Sequence, residues 1–248
     1  MAVEKPPVVG AQPAGAGDEK AAATAVREMF SSIAPRYDLL NHVLSMNVDR
    51  LWWRRAARTF RPLLERPEAR VLDLCCGTGD MGLAVRRQSA APEIVGADFA
   101  HPMLRLASAK VEGRKFRLVE SDALRLPLRD QSFDLVVSAF GFRNLANYDA
   151  GLREIHRVLR PEGEVGILDF GEPKGAVGAL YAFYFRRVLP KVGTLISGVR
   201  GPYAYLPASV RRFPGPQEML DRMRAAGFRE VSWTPYTFGI AGLYRGKK

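Results

Sequence analysis

Cysteine is nearly absent from this 248-residue chain: Cys75 and Cys76 are the only two, and they are neighbours. Adjacent cysteines rarely reach disulfide geometry, so no disulfide framework is expected and a reducing cytoplasm is the natural compartment. Histidine is scarce as well. His42, His101 and His156 are far apart and, even with the cysteine pair, form no set at ligand spacing, so no metal site is expected. Long apolar runs are missing. The longest, Ala176 to Phe185, falls short of the roughly 20 residues that cross a bilayer, which excludes an integral membrane protein. Met1 to Lys20 lacks a basic start and an apolar core, and is rich in Ala, Gly and Pro without periodicity; the expectation is a disordered tail over 1–20 and not a signal peptide.

Acidic residues are missing from one long stretch. Nothing between Glu172 and Glu218 is acidic, yet Lys174, Arg186, Arg187, Lys191, Arg200, Arg211 and Arg212 fall there, interleaved with Tyr181, Phe183, Tyr184, Phe185, Tyr203, Tyr205 and Phe213. The net charge of +11 is therefore unevenly spread. Cations mixed with aromatics suit an anionic membrane surface or a nucleic acid.

What is present is ordinary globular composition, 47% hydrophobic and 25% charged, enough for one large core. Residues 24–60 carry Val26, Met29, Phe30, Leu39, Leu40, Val43, Leu44, Leu51, Trp52 and Trp53 near the helical period, broken at Pro35; they predict helices that cover a sheet. From Arg70 strands and helices alternate: strand 70–75, helix 82–88, strand 93–98, helix 102–111, strands 116–120 and 133–138, helix 149–160, strand 163–169. Segment 172–213 interrupts the rhythm with Gly, Pro and aromatics and reads as an inserted helical lid. Helix 217–226 and strands 230–234 and 240–245 complete the chain. The prediction is one α/β domain, 21–248, with a doubly wound, mostly parallel, Rossmann-like sheet.

The stretch Arg70-Val-Leu-Asp-Leu-Cys-Cys-Gly-Thr-Gly-Asp80 organises that sheet. Val71, Leu72 and Leu74 read as a strand buried on both faces, and Gly77 and Gly79 let the backbone turn tightly beside a ligand at the next helix. With Gly82 the letters also fit a dinucleotide fingerprint. The carboxylates favour a different ligand. Asp73 lies in the strand, Asp80 follows the second glycine and Asp98 ends the next strand, so a pyrophosphate would meet like charge. A sulfonium and an ammonium would be attracted, and ribose hydroxyls suit a strand-end carboxylate such as Asp98. S-adenosylmethionine is the expected ligand, with NAD as the alternative. Thr78 in the glycine turn, Asp122 and Ala123 after strand three, and Ala139 after strand four complete the candidate site.

Several ordered motifs resemble the quinone C-methyltransferases of menaquinone and ubiquinone biosynthesis, within the class I S-adenosylmethionine-dependent methyltransferases. They are Tyr37-Asp38-x-x-Asn41-x-x-Leu44-Ser45 with Trp52, Gly77-Thr-Gly-Asp80, Phe140-Gly-Phe-Arg-Asn144, Arg157-Val-Leu-Arg-Pro161, and Tyr203-x-Tyr-Leu206 with Ser209 and Phe213-Pro214. Departures fall at Leu40, Asp49, Glu162, Gly171, Gly201 and Ala139, where a cofactor-site serine is usual and only a backbone remains. The resemblance implies methyl transfer from S-adenosylmethionine to a ring carbon of a polyprenyl quinol, demethylmenaquinol first and a benzoquinol as the alternative. It implies Thr78, Asp98, Asp122 and Ala123 as cofactor positions.

Such a transfer is an in-line displacement and needs no covalent enzyme nucleophile. It needs donors near the quinol oxygen that loses its proton. Arg143 and Asn144, after strand four, with Tyr37 from the leading helices, are the expected catalytic residues. His156 lies mid-helix among Ile155, Val158 and Leu159 and reads as structural. The expected partners are the lipid-held quinol and an anionic membrane at the inner face of the cell membrane; a homodimer stays open and nucleic acid is not expected. An RNA methyltransferase and a catalytically silent cofactor-binding protein are the competing readings.

Overall fold

The computed structural model describes residues 9–38, 45, 47–173, 175, 178, 187 and 202–248. Helix α1 (Glu19–Ile33) starts where the Asp18 carboxylate caps it, accepting the Ala21 N–H at 2.8 Å, and buries Ala22, Val26 and Ile33 at helical spacing. A 3₁₀ turn at Ala34–Arg36 follows, set by Pro35. Helix α2 (Val48–Thr59) buries Trp52, Trp53, Ala56 and Ala57, and the short α3 (Arg61–Leu64) buries Leu63 and Leu64.

Strand β1 (Arg70–Leu74) leads through the glycine turn to α4 (Asp80–Arg86). Then come β2 (Glu93–Asp98), α5 (His101–Val111), β3 (Phe116–Glu120) and β4 (Phe133–Ala139). Helix α6 (Tyr148–Val158), capped by Asn147, runs straight into β5 (Leu159–Phe170). Helices α7 (Pro202–Arg212) and α8 (Pro216–Ala225) precede the closing hairpin of β6 (Arg229–Tyr236) and β7 (Ala241–Lys247).

The seven strands lie in the order β3-β2-β1-β4-β5-β7-β6. β1 to β5 are parallel, and β7 runs antiparallel to both β5 and β6. This is the expected doubly wound, mostly parallel sheet. Alternation along β1 explains its two cores: Val71 faces Trp52, Phe60, Met81 and Leu243 in one layer, while Leu72 and Leu74 face Phe142, Leu152, Ile155 and Met223 in the other. Cutting a fully buried leucine such as Leu72 to alanine would cost roughly 2–5 kcal/mol.

Several boundaries move from expectation, among them the start of β5, at Leu159 and not at 163. Helix α4 begins at Asp80 and not at 82, because Gly79, held at φ 86°, serves as its N-cap. The tail is tied down earlier than the expected end of disorder at Lys20. The Ala11 N–H donates to Leu145 O at 2.8 Å and the Tyr148 N–H to Val9 O at 3.0 Å. A Cβ on Gly10 would fall 2.2 Å from Ala146 O, so only glycine can pass there. Backbone pairing of this kind leaves no periodic sequence signal. Met1 to Val8 lie outside the described residues.

So does most of the expected lid over 172–213, including Lys174, Tyr181, Phe183, Tyr184, Phe185, Arg186, Lys191 and Arg200. At its described end Arg211 and Arg212 are exposed while Phe213 is buried, packing on Phe142, Tyr148 and Tyr244. Asn41 and Leu44 also lie outside the described residues. No described helix is long and apolar enough to cross a membrane.

Candidate active site

The carboxyl ends of β1, β2 and β4 open onto a cleft of about 710 Å³ of space outside the atoms, its open mouth included. That is where an open parallel sheet places its ligands. Gly77 and Asp98 meet on its floor: the Gly77 N–H donates to Asp98 Oδ2 at 2.8 Å, and the Ala100 N–H donates to Oδ1 at 2.9 Å. Gly77 sits at φ 54°, and nothing lies nearer than Tyr37, at 3.9 Å, to where a Cβ would be. A ligand can thus approach bare backbone. Cys75 (φ 55°) and Phe140 (φ 58°) are left-handed too, bending the ends of β1 and β4 away from their strands. Gly141 fits between them because a Cβ there would fall 2.4 Å from Cys75 Cβ.

Of the expected cofactor residues, the cleft gathers Gly77, Asp98, Asp122, Ala123 and Ala139. Asp122 Oδ1 accepts the Leu124 N–H at 2.9 Å, fixing the turn after β3. Asp73, Thr78 and Gly79 are set behind the wall. Asp73 is fully buried and its Oδ2 accepts the Gly82 N–H at 2.7 Å, so it shapes the glycine turn instead of reaching a ligand. Thr78 turns its hydroxyl away, donating to Asp38 Oδ1 at 2.6 Å and accepting from Lys110 Nζ at 3.0 Å. Gly79 packs against Val111, Ala107 and Phe116.

Of the expected catalytic residues, Tyr37 and Asn144 line the cleft and Arg143 does not. The Arg143 guanidinium is buried against Asp169, 2.9 Å away, donates to Phe140 O and lies over the Phe170 ring. Its place at the substrate oxygen is therefore corrected to an internal brace between the turn after β4 and the end of β5. The Asn144 amide Oδ1 accepts from Tyr205 Oη at 3.1 Å. His156 packs edge-on against Phe228 and is not part of the cleft lining.

Burial sets the electrostatics. It raises the Asp73 carboxyl to about 8, with Asp80 and Asp98 adding to the effect against the Gly82 hydrogen bond. Asp98 is raised by burial as well, opposed by its backbone donors. The Cys75 and Cys76 thiols are pushed far up by burial and then by neighbouring aspartates, which removes them as nucleophiles at neutral pH. His156 is lowered by burial.

Phe30, Ala23, Phe99, Met103 and Leu124 also line the cleft and were not expected there. Phe99 directly follows Asp98 and Met103 lies in the first turn of α5, so the rule that found Asp98 could have found both. Apolar walls, a strand-end carboxylate, exposed turn backbone and the buried, unpartnered Ser121 Oγ together fit a ligand with an aromatic base, a ribose and a cationic end.

A model of the ubiE/COQ5 methyltransferase family matches residues 17–248. The chain belongs to that family. It is an S-adenosylmethionine-dependent methyltransferase. A demethylmenaquinone methyltransferase from Deinococcus radiodurans is 49% identical over 94% of this chain and 96% of its own length. Another with the same name, from Thermus thermophilus, is 49% identical over 89% of this chain and its entire length. A ubiquinone/menaquinone biosynthesis C-methyltransferase from Geobacter sulfurreducens is 42% identical over 90% of this chain and 88% of its own. Among solved structures, the [4+2]-cyclase SpnF superposes with a TM-score of 0.67 at 16% identity, covering 98% of this chain and 97% of that one. A Thermotoga maritima S-adenosylmethionine-dependent methyltransferase gives 0.62 at 20%, covering 89% and 99%. These two share the fold.

Proposed function

We propose that this family member methylates a ring carbon of a polyprenyl quinol, demethylmenaquinol being the substrate. What carries the reading is the 49% identity, over nearly the full length of both chains, to two proteins named demethylmenaquinone methyltransferase. A benzoquinol is the second reading, favoured by the relative named for both pathways.

The cleft's own residues divide the work. Asp98, whose carboxylate offers lone pairs beyond those its backbone donors use, would accept from the ribose hydroxyls of S-adenosylmethionine; Asp122 and the Ala123 backbone would face the base. Phe99 and Met103 would pack on it, and the backbone at Gly77 leaves room for the amino-acid end. When bound, the cofactor supplies an electrophilic methyl group for in-line attack by carbon. Tyr37 and Asn144 stand on the remaining side, where the quinol oxygen would be held as its proton leaves. Tyr205, raised to about 12 by burial, stays a neutral donor and fixes the Asn144 carbonyl, while the amide N–H₂ donates to Phe140 O at 3.4 Å. Arg143 acts at one remove: it holds Phe140 O and the turn that carries Asn144. A substrate whose tail stays in lipid would bring the protein to the inner face of the cell membrane.

Purified protein supplied with S-adenosylmethionine and either reduced demethylmenaquinone or a reduced benzoquinone tests the proposal, with products weighed by mass spectrometry. Methylated naphthoquinol is expected. Methylation of the benzoquinol alone would shift the substrate, and transfer to RNA with neither quinol methylated would sink the reading.

A further inference from the structure

We propose that the outer face of α2 and the Tyr236–Gly239 turn form one surface that docks on an anionic lipid bilayer. The inference rests on the quinol reading and names a surface for it among the described residues, beside the described ends of the 172–213 segment, which share a cavity with Phe238 and Gly239.

Phe238 is 81% exposed and Leu51 is 58% exposed, the two most exposed large hydrophobic side chains described. Phe238 is also held in an unfavourable backbone. Thr237, Phe238 and Gly239 take φ of 45°, 58° and 90° in succession, a left-handed run that a β-branched and an aromatic residue rarely adopt. A fold gains nothing from straining a backbone to hold a phenylalanine in water, and a surface that receives the ring would account for it.

The turn is anchored where it stands. Trp52 Nε1 donates to Thr237 Oγ1 at 2.8 Å, and the Arg55 guanidinium lies 4.3 Å from the centre of the Tyr236 ring. On α2 the residues turned outward are Arg50, Leu51, Arg54, Arg55 and Arg58, and the helix's single acid, Asp49, is buried. Among the described residues none of these four arginines has an ion-pair partner. Two apolar tips among unpaired guanidinium groups complement a layer of anionic headgroups over hydrocarbon. A second copy of this chain would present the same excess of cations and repel it.

Position supports the same occupant. Trp52 packs on Phe140 at 5.8 Å and on Phe170 at 6.2 Å, and Phe140 lines the cleft. One aromatic layer therefore separates the proposed lipid surface from the site, the distance a quinol on a membrane-held tail has to cover.

The test is flotation of the full chain with vesicles of phosphatidylglycerol and phosphatidylcholine, against phosphatidylcholine alone, at low and high salt. Wild type is expected to prefer the anionic vesicles and to lose that preference as salt rises. Leu51→Ser with Phe238→Asn, the second chosen because asparagine tolerates left-handed φ, should lower binding about tenfold or more. Arg54→Gln with Arg58→Gln should lower it about fivefold per arginine at low salt. Both variants should keep their melting temperature and their activity on a short-tailed, water-soluble quinol, and lose activity on the long-tailed one. Phe238→Trp should blue-shift its fluorescence on vesicle addition beyond the wild-type change. Unchanged vesicle binding in both double variants, or a shift in dimer mass in place of vesicle binding, overturns the proposal. A wild type that binds vesicles as expected yet methylates no quinol leaves the surface standing and fails the substrate reading alone.

Discussion

Arg143 and Asp169 form a buried ion pair, Nη1 to Oδ1 at 2.9 Å, with 6% and 0% of their side chains exposed. The Arg143 N–H donates to the other carboxylate oxygen at 3.0 Å, so the pair locks the turn after β4 to the end of β5. Removing one partner strands the other charge in the interior, at a cost of about 3–5 kcal/mol. Arg143→Ala is therefore expected to unfold at clearly lower urea concentration and to lose cofactor affinity and turnover together. Full stability with turnover alone impaired would return Arg143 to the chemistry.

Asp73 gives the fold a pH dependence. Its carboxyl is raised to about 8 in the folded protein, from 3.8 as the reference for the unfolded chain. Between those values the folded state keeps a proton that the unfolded state has released, so this group's stabilising effect is full below 3.8 and fades as pH rises toward 8. The slope is at most about 1.4 kcal/mol per pH unit. Asp73→Asn has the same shape and no proton to lose. Urea unfolding of the two proteins should show the wild type losing stability relative to the variant from about pH 5 to about pH 7.5. Parallel curves would mean that Asp73 is ionised inside the fold.

Much of this was legible in the sequence, and the pattern of what was not is physical. The order of strands and helices followed from apolar spacing, since Val71 and Leu72 must face opposite layers and the glycines must end β1. Gly77, Asp98, Asp122, Asn144 and Tyr37 reach the cleft lining because strand ends and the leading helices face it by topology. Arg143, Thr78 and Asp73 turn away from the cleft for one reason: where a side chain points depends on partners distant in sequence. Asp169 is 26 residues from Arg143, and Asp38 is 40 from Thr78. The docking of Val9 to Ala11 was invisible because it uses backbone alone.

Asp98→Ala should weaken S-adenosylmethionine binding by roughly 1.5–3 kcal/mol, the scale of a hydrogen bond to a charged group. It also removes the acceptor for the Gly77 and Ala100 N–H groups, so a modest fall in melting temperature is expected with it. Calorimetry at a temperature where the variant is folded separates the two effects. Unchanged affinity there would take Asp98 out of the cofactor site.

Gly82 has no room for a side chain. A Cβ there would fall 2.5 Å from the Phe116 ring and 2.9 Å from Asp73 Oδ2, and both neighbours are buried. Gly82→Ala must push the first turn of α4 off the sheet, at a cost of about 1–3 kcal/mol. Gly113→Ala is the control for adding a methyl to a glycine in this chain, because nothing lies within 4 Å of its Cβ position, although its φ of 70° strains any side chain. Thermal melts should place Gly82→Ala below Gly113→Ala; the reverse order would show that α4 yields freely.

Tyr37 reaches the cleft through its neighbour. Asp38 accepts from Thr78 Oγ1 at 2.6 Å and pairs with Lys110 Nζ at 2.6 Å, while Lys110 also pairs with Asp80 at 3.1 Å. Three elements meet there: the segment after α1, the glycine turn and the last turn of α5. The cluster is partly exposed, with 28% of the Lys110 side chain and 32% of Asp38 accessible, so each pair is worth at most about 1 kcal/mol to stability. Its larger effect is on position, since loosening Asp38 frees Tyr37 from the cleft wall. Lys110→Met should therefore barely change the melting temperature yet raise the KM for quinol and lower kcat, and Lys110→Arg should restore part of both. Tyr37→Phe keeps the ring and removes one hydrogen bond, so its loss in kcat should stay within about tenfold. In Lys110→Met the further effect of Tyr37→Phe should shrink, because a hydroxyl already out of place has little left to lose. Fully additive losses in the double variant would show that the cluster and the tyrosine act separately.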